Sequence, residues 1–177
     1  MILSKSNIIL ICIILIIIFI IIIIISIYYK LYEIACISKI TKNIYLSGMI
    51  GSINNYKLKQ YNIKCIINCT KNIPNYYEDN NISYLRIPVD DTCDQHIEKY
   101  FDLTYNFIEK CIKENKKVLV HCRMGISRSA TILIAYFMRK YNWSCDQAIE
   151  FVKSKRGIIN PNTDFMNSLS QQVYELG

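Results

Sequence analysis

Every residue from Ile8 to Ile25 is apolar, an unbroken run that reaches the roughly 18 to 20 residues needed to cross a bilayer core. Ser26, Ile27, Tyr28 and Tyr29 then form an interfacial aromatic edge ahead of Lys30. The pattern predicts an N-terminal anchor over residues 1–30, with one transmembrane helix over about residues 8–28. A cleaved signal peptide fits less well. Its apolar region is usually about 7 to 15 residues long and ends at a small-residue cleavage site, and no such site follows here.

Beyond residue 30 the apolar positions cease to run together. Residues 31–37 read as a juxtamembrane connector and residues 38–177 as one domain, with no internal repeat and no Pro/Gly-rich linker. A strand is expected near Ile44–Ser47, with Gly48 and Gly51 marking turns, then a helical stretch near Asn55–Tyr61. KCIINCT, residues 64–70, reads as a buried strand, because it is a short apolar run with β-branched content and an Asn/Pro-rich exit. Another strand, SYLRIPV, ends at Val89 and opens into the acidic loop DDTCD. Ile97, Phe101, Tyr105, Ile108 and Ile112 recur at helical spacing, KVLV at 117–120 returns to a compact strand, and TILIAYFMRKY resumes a helix. Ser144 is placed to cap a helix over Cys145–Lys155 stopped by Gly157, and a last helix is expected after Pro161. Strands alternating with helices imply an α/β fold, a central and mostly parallel sheet flanked by helices.

The net charge of +7 changes this picture little. Only Lys5 among the charged residues precedes Lys30, so +6 belongs to the rest of the chain, which suits an anionic substrate or an anionic membrane face. No basic cluster interleaved with aromatics points to nucleic acid. Lys5 stands before the apolar run while Lys30, Lys39 and Lys42 follow it. That asymmetry predicts a single-pass protein with its N-terminus outside and its domain in the cytosol. Sequons at Asn68, Asn81 and Asn142 are expected by chance in so Asn-rich a chain. The bias toward Ile, Asn, Lys and Tyr is that of an AT-rich coding genome, and a viral gene would put the anchor in a host-cell membrane. Eight cysteines do not make a disulfide scaffold of 177 residues. Cys65 with Cys69, or Cys93 with His96, lacks the second pair that a zinc site needs. Buried free thiols are the expectation.

One segment turns the reading from fold to chemistry. HCRMGISRSA, residues 121–130, follows a strand directly and leads into a helix. Such a junction aims several backbone N–H groups and the positive end of a helix at one point, which suits a phosphate. Gly125 lets the loop curl without a Cβ penalty, and five residues separate Cys122 from Arg128. A thiol ringed by amides beside an arginine is a thiolate at neutral pH and can attack phosphorus in line. Arg128 is placed to grip two phosphate oxygens and to tighten as charge spreads over the equatorial oxygens. The leaving oxygen then needs an acid, and breakdown of a phosphocysteine needs a base. Asp90, Asp91 and Asp94 stand in the acidic loop as candidates. Ser129 is placed to hydrogen-bond the sulfur and His121 to orient the Cys122 backbone. The chemistry calls for no metal and no cofactor.

HCRMGISRS resembles the HCxxGxSRS signature of the dual-specificity protein phosphatases, within the cysteine-dependent protein tyrosine phosphatase superfamily, and VHCRMGISRSATILIAYFM fits it without a gap. The likeness extends over most of residues 38–177. ITKNIYLSG resembles the family's opening strand, IINCT its second core strand, IPVDDT its general-acid loop and RGIINPNTDFM its C-terminal segment. The resemblance implies that Cys122 is the nucleophile, Arg128 the phosphate-binding arginine, Ser129 the hydroxyl that aids breakdown of the intermediate, and Asp91, ahead of Asp90, the acid. It also implies that backbone amides of Arg123, Met124, Gly125, Ile126, Ser127 and Arg128 hold the phosphate. The expected partner is a phosphoprotein carrying phosphotyrosine, phosphoserine or phosphothreonine, since the loop lacks the extra lysines of phosphoinositide-directed relatives. Two alternatives stand beside it: a phosphatase for phosphoinositides or another non-protein phosphate at a membrane, and an inactive module that binds phosphoproteins. Cys69 is read as a core residue, with a protective disulfide to Cys122 under oxidation as the other reading.

Overall fold

A computed structural model describes residues 5–78 and 81–172. The chain divides into two units, residues 1–33 and residues 34–177. Helix α1, Lys5–Ala35, is 31 residues long. Its stretch Leu10–Ala35, with a mean hydropathy of 3.9, is long and apolar enough to cross a membrane by length and composition. Side chains from Leu10 to Tyr32 are all exposed, an apolar surface of a kind that water-soluble proteins do not leave open. The stretch expected as a connector, 31–37, is helical as far as Ala35. No Gly or Pro occurs before Gly48, so nothing in KLYEIA stops a helix that is already nucleated. The apolar run thus ends before the helix does.

Among its described residues the second unit is built on five strands, β1 (Ile37–Lys39), β2 (Ile44–Ser47), β3 (Ile63–Asn68), β4 (Ser83–Arg86) and β5 (Lys117–His121). Their order in the sheet is β1-β2-β5-β3-β4. β1 runs antiparallel to β2, and the other neighbours are parallel, so the sheet is mixed with a parallel centre. Side chains alternate across it, as a pleated strand requires. Ile44, Leu46, Cys65, Ile67, Val118 and Val120 enter the larger core, while Tyr45, Ile66 and Leu119 enter the smaller one on the opposite face. Ile63 joins the smaller core despite its spacing from Cys65, because the register shifts between those two residues.

Among the described residues six further α-helices cover the faces: α2 (Met49–Ser52), α3 (Asn55–Gln60), α4 (Phe101–Lys113), preceded by a 3-10 turn at Ile97–Tyr100, α5 (Arg128–Tyr141), α6 (Cys145–Lys155) and α7 (Thr163–Gln172). Leu58 of α3 packs into the smaller core. The other face belongs to α5, whose residues Arg128–Met138 are all buried, with α4, α6 and α7 packed against it. Ser144 forms the expected cap, a full capping box with Gln147. Gly51, expected to mark a turn, instead lies within α2. Strand β1 was not predicted, since three residues on a sheet edge carry too little pattern to read. Asn68 is completely buried, and its amide donates to the Ile73 carbonyl and to Asn75 Oδ1 at 2.8 Å each, so its sequon has no free nitrogen to offer. Cys65, Cys69, Cys111 and Cys122 are buried thiols, whereas Cys12 and Cys93 are exposed.

Candidate functional site

Register brings the carboxyl ends of the three central strands to one edge: Ser47 and Asn68 both pair with His121. Crevices outside the carboxyl ends of parallel strands are where α/β folds place their ligands. Here a cleft of about 460 Å³ opens. Residues 70–73 after β3, 90–92 after β4, and Cys122, Arg123, Met124, Ser127 and Arg128 after β5 line it.

At its floor Cys122 is 1% exposed. Its Sγ accepts hydrogen bonds from Gly125 N and from Ser129 Oγ, both at 3.2 Å. The loop reaches this shape because Gly125 adopts φ +68°, in the left-handed region that costs glycine nothing. Arg128 opens α5 and is 8% exposed. Its Nη1 donates to the Val89 carbonyl at 3.1 Å, which joins the loop after β4 to the loop after β5. Among the described residues Arg128 Nε is buried with no hydrogen-bond partner; Asp91 Oδ2 stands 3.6 Å away, in ion-pair range but too far for a hydrogen bond. A buried N–H left open beside a thiol is a place for an anion's oxygen.

Of the three acidic candidates, the fold carries Asp91 to the loop. Its Oδ1 accepts from Ser127 Oγ at 2.6 Å and from Asn162 Nδ2 at 3.0 Å. Asp90 also lines the cleft, and its amide donates to Gln95 Oε1. Asp94 lies outside it, taken up by Thr92 Oγ1 at 2.6 Å and by Gln95; the Thr92 hydroxyl holds its carboxyl below the usual range. Ser127, named only for its backbone amide, also serves through its hydroxyl, which donates to Asp91 and accepts from Asn162 N. Sequence reasoning missed Asn162. It lies 71 positions from Asp91, and the only local signal was its place in the C-terminal segment after Pro161.

His121 is 1% exposed, and its Nδ1 lies 3.4 Å from the Cys122 carbonyl, a group that can only accept. Burial pushes its imidazole from 6.5 down to about 4, with Arg86 and Arg128 acting the same way against the pull of that carbonyl. His121 is therefore neutral at physiological pH, with its proton on Nδ1. Between about pH 6.5 and about pH 4 the unfolded chain binds a proton that the folded chain refuses. The stability His121 contributes is complete above 6.5 and is lost as the pH falls, by up to roughly 3 kcal/mol. Urea midpoints at pH 7 and pH 5 check this. His121→Gln should flatten the slope, and an equal slope in both proteins would exclude a buried neutral imidazole. Cys69 lies close by and is completely buried; burial pushes its thiol well up and Cys122 adds to the effect, which suits the reading of Cys69 as a core residue.

Comparison with known proteins agrees with this geometry. The family described as dual specificity phosphatase, catalytic domain, matches residues 44–174. The tyrosine-protein phosphatase vhp-1 of Caenorhabditis elegans is 40% identical over 75% of this chain and 20% of its own length. Dual specificity protein phosphatase 9 of Homo sapiens is 38% identical over 74% of this chain and 34% of its own. The chain thus spans about a third or less of the length of these relatives. Among solved structures, DUSP15 superposes with a TM-score of 0.74 at 33% identity, over 78% of this chain and 87% of that one. A cysteine-and-arginine loop at the carboxyl edge of the sheet, matched along three quarters of the sequence, places the chain in the dual specificity phosphatase family.

Proposed function

We propose that the protein hydrolyses phosphotyrosine and phosphoserine or phosphothreonine in protein substrates through a phosphocysteine intermediate, held at a membrane by α1 with its domain in the cytosol. The observation that carries this reading is the floor of the cleft, where the Cys122 thiol accepts two hydrogen bonds beside a buried arginine with an open N–H. Sγ attacks phosphorus, the P–O bond to the substrate breaks, and Asp91 gives its proton to the departing oxygen. Water then attacks the phosphocysteine, Asp91 takes its proton, and the P–S bond breaks to release phosphate. The Ser129 hydroxyl, already donating to Sγ, stabilises the thiolate as it leaves. Arg128 and the amides of residues 123–128 hold the equatorial oxygens, where charge develops. His121, neutral and bonded to the Cys122 carbonyl, fixes the backbone from which the nucleophile projects.

Sealed microsomes carrying the full chain with its domain outward should hydrolyse phosphotyrosine and phosphothreonine peptides added to the medium. Asp91→Asn should lower kcat by about 10²-fold on these peptides. The loss should be much smaller on an aryl phosphate whose acidic phenol leaves without a proton. Equal losses on both substrates would remove Asp91 as the acid, and activity released only by detergent would reverse the orientation.

A further inference from the structure

Arg156 has no part in the chemistry above, yet it is one of the largest fully buried side chains of the domain, at 1% exposure. It follows the last residue of α6, and its guanidinium reaches two places at once. On one side Nε donates to the Gly125 carbonyl at 2.8 Å and Nη2 to the Met124 carbonyl at 3.1 Å. On the other, Nη1 donates to the Cys36 carbonyl at 3.3 Å and to Ser38 Oγ at 3.0 Å.

In a trans peptide the C=O and the next residue's N–H point in opposite directions. A group that holds the carbonyls of Met124 and Gly125 therefore turns the N–H groups of Gly125 and Ile126 the other way. Gly125 N accordingly faces Cys122 Sγ. Two neighbours extend the effect: Asn160 N donates to the Ile126 carbonyl at 2.9 Å and Met49 N to the Arg123 carbonyl at 3.0 Å. Four successive peptide planes of the loop are thus held by their carbonyls, and Arg156 holds the middle two. Three nitrogens in a rigid planar fork make these four bonds, a geometry that a lysine does not supply. The far end of the fork lies on Cys36 and Ser38, ahead of the matched family stretch, which begins at residue 44, and directly after α1 ends at Ala35.

We propose that Arg156 is a positioning residue for the phosphate loop, and that it ties the loop's shape to residues 36–38 at the end of α1. The inference rests on the reading of Cys122 as nucleophile. The test uses the full chain in detergent micelles, as parent, Arg156→Met, Arg156→Lys and Ser38→Ala. Three quantities are read: kcat and KM on a phosphotyrosine peptide, thermal unfolding, and the iodoacetamide alkylation rate at Cys122, resolved by peptide mass spectrometry at about pH 6 and about pH 9.

Arg156→Met is expected to lower kcat by about 100-fold, the scale of loss that follows a misplacement of about 1 Å. It should also slow alkylation several-fold at the lower pH relative to the higher, because misaligned amides no longer donate to Sγ. Arg156→Lys should recover part of the alkylation ratio and little of kcat, and Ser38→Ala should lower kcat a few-fold with KM nearly constant. A folded Arg156→Met protein with the parent's kcat, or with reduced kcat and the parent's alkylation ratio, overturns the proposal. Should Arg156→Met fail to fold, Arg156→Lys decides in its place, and the parent's kcat there overturns it. An unchanged kcat in Ser38→Ala overturns the tie to residues 36–38. Alkylation needs no turnover, so a parent inactive on phosphopeptides would refute the phosphatase reading while leaving Arg156 tested.

Discussion

Replacing Cys122 by Ser is expected to lower kcat on a phosphotyrosine peptide by about 10⁴-fold or more, while the variant still binds the peptide and unfolds at the parent's temperature. The size of the loss follows from what the reaction asks of the nucleophile. A neutral hydroxyl does not attack a phosphate ester at neutral pH without a base to take its proton, and losing a nucleophile of this kind costs several orders of magnitude. The retained binding follows from the fold. Serine is close to isosteric with cysteine, and Ser129 and Gly125 can donate to an oxygen as they do to Sγ. Arg128 keeps its bond to the Val89 carbonyl. Kinetics together with capture of phosphopeptide by the inactive protein measure both halves. A residual kcat within about tenfold of the parent would mean that water attacks the substrate directly, and the phosphocysteine route would have to be given up.

Gly125→Ala should come next in effect, and it acts on the loop without touching a reacting atom. A Cβ at Gly125 would lie 2.5 Å from the Ser47 carbonyl carbon, 2.6 Å from its oxygen and 2.7 Å from Gly48 N, in a backbone conformation at φ +68° that L side chains seldom adopt. Backbone atoms cannot swing aside as a flexible side chain does, so the exit of β2 and the phosphate loop must separate. Strain and lost packing together are expected to cost about 3 kcal/mol or more. The loss of kcat should exceed what the unfolded fraction explains, because the Gly125 N–H is one of the two donors to Sγ. Urea denaturation read beside kcat separates the two effects. A variant with the parent's kcat would show that the loop tolerates displacement from β2, and would weaken the case for a pre-set ring of amides.

The features legible in the sequence are those that neighbouring residues specify. The strand, loop and helix around Cys122 and Arg128 are contiguous, so hydrophobic runs and a glycine sufficed to place them, and Ser144 with Gln147 announced the start of α6. Asp91 was singled out from Asp90 and Asp94 by alignment to a known loop, and the physical difference among the three became visible only in three dimensions. What escaped was long-range. Arg156 meets the carbonyls of Met124 and Gly125 across about thirty residues and Cys36 across 120; read in sequence, it is one more cation at a helix end. Arg128 meets the Val89 carbonyl, a group that every residue carries and that no motif marks. The extent of α1 was misjudged for a different reason. Hydropathy reports where the apolar run ends, whereas the helix goes on to Ala35, just before β1.

Cys122, the amides and Arg128 face inward, but the side chains of Arg123 and Met124 are exposed at the cleft's mouth, Met124 at 43%. The loop's shape depends on neither of them, because its main chain is held from behind by Arg156, Asn160 N and Met49 N. In the proposed reaction, chemistry and selectivity would thereby fall to different atoms of the same residues, main chain for one and side chain for the other. Substitutions at these two positions would alter the surface met by a phosphorylated partner and leave the ring of amides in place, a latitude that a lineage under changing selection can use one residue at a time.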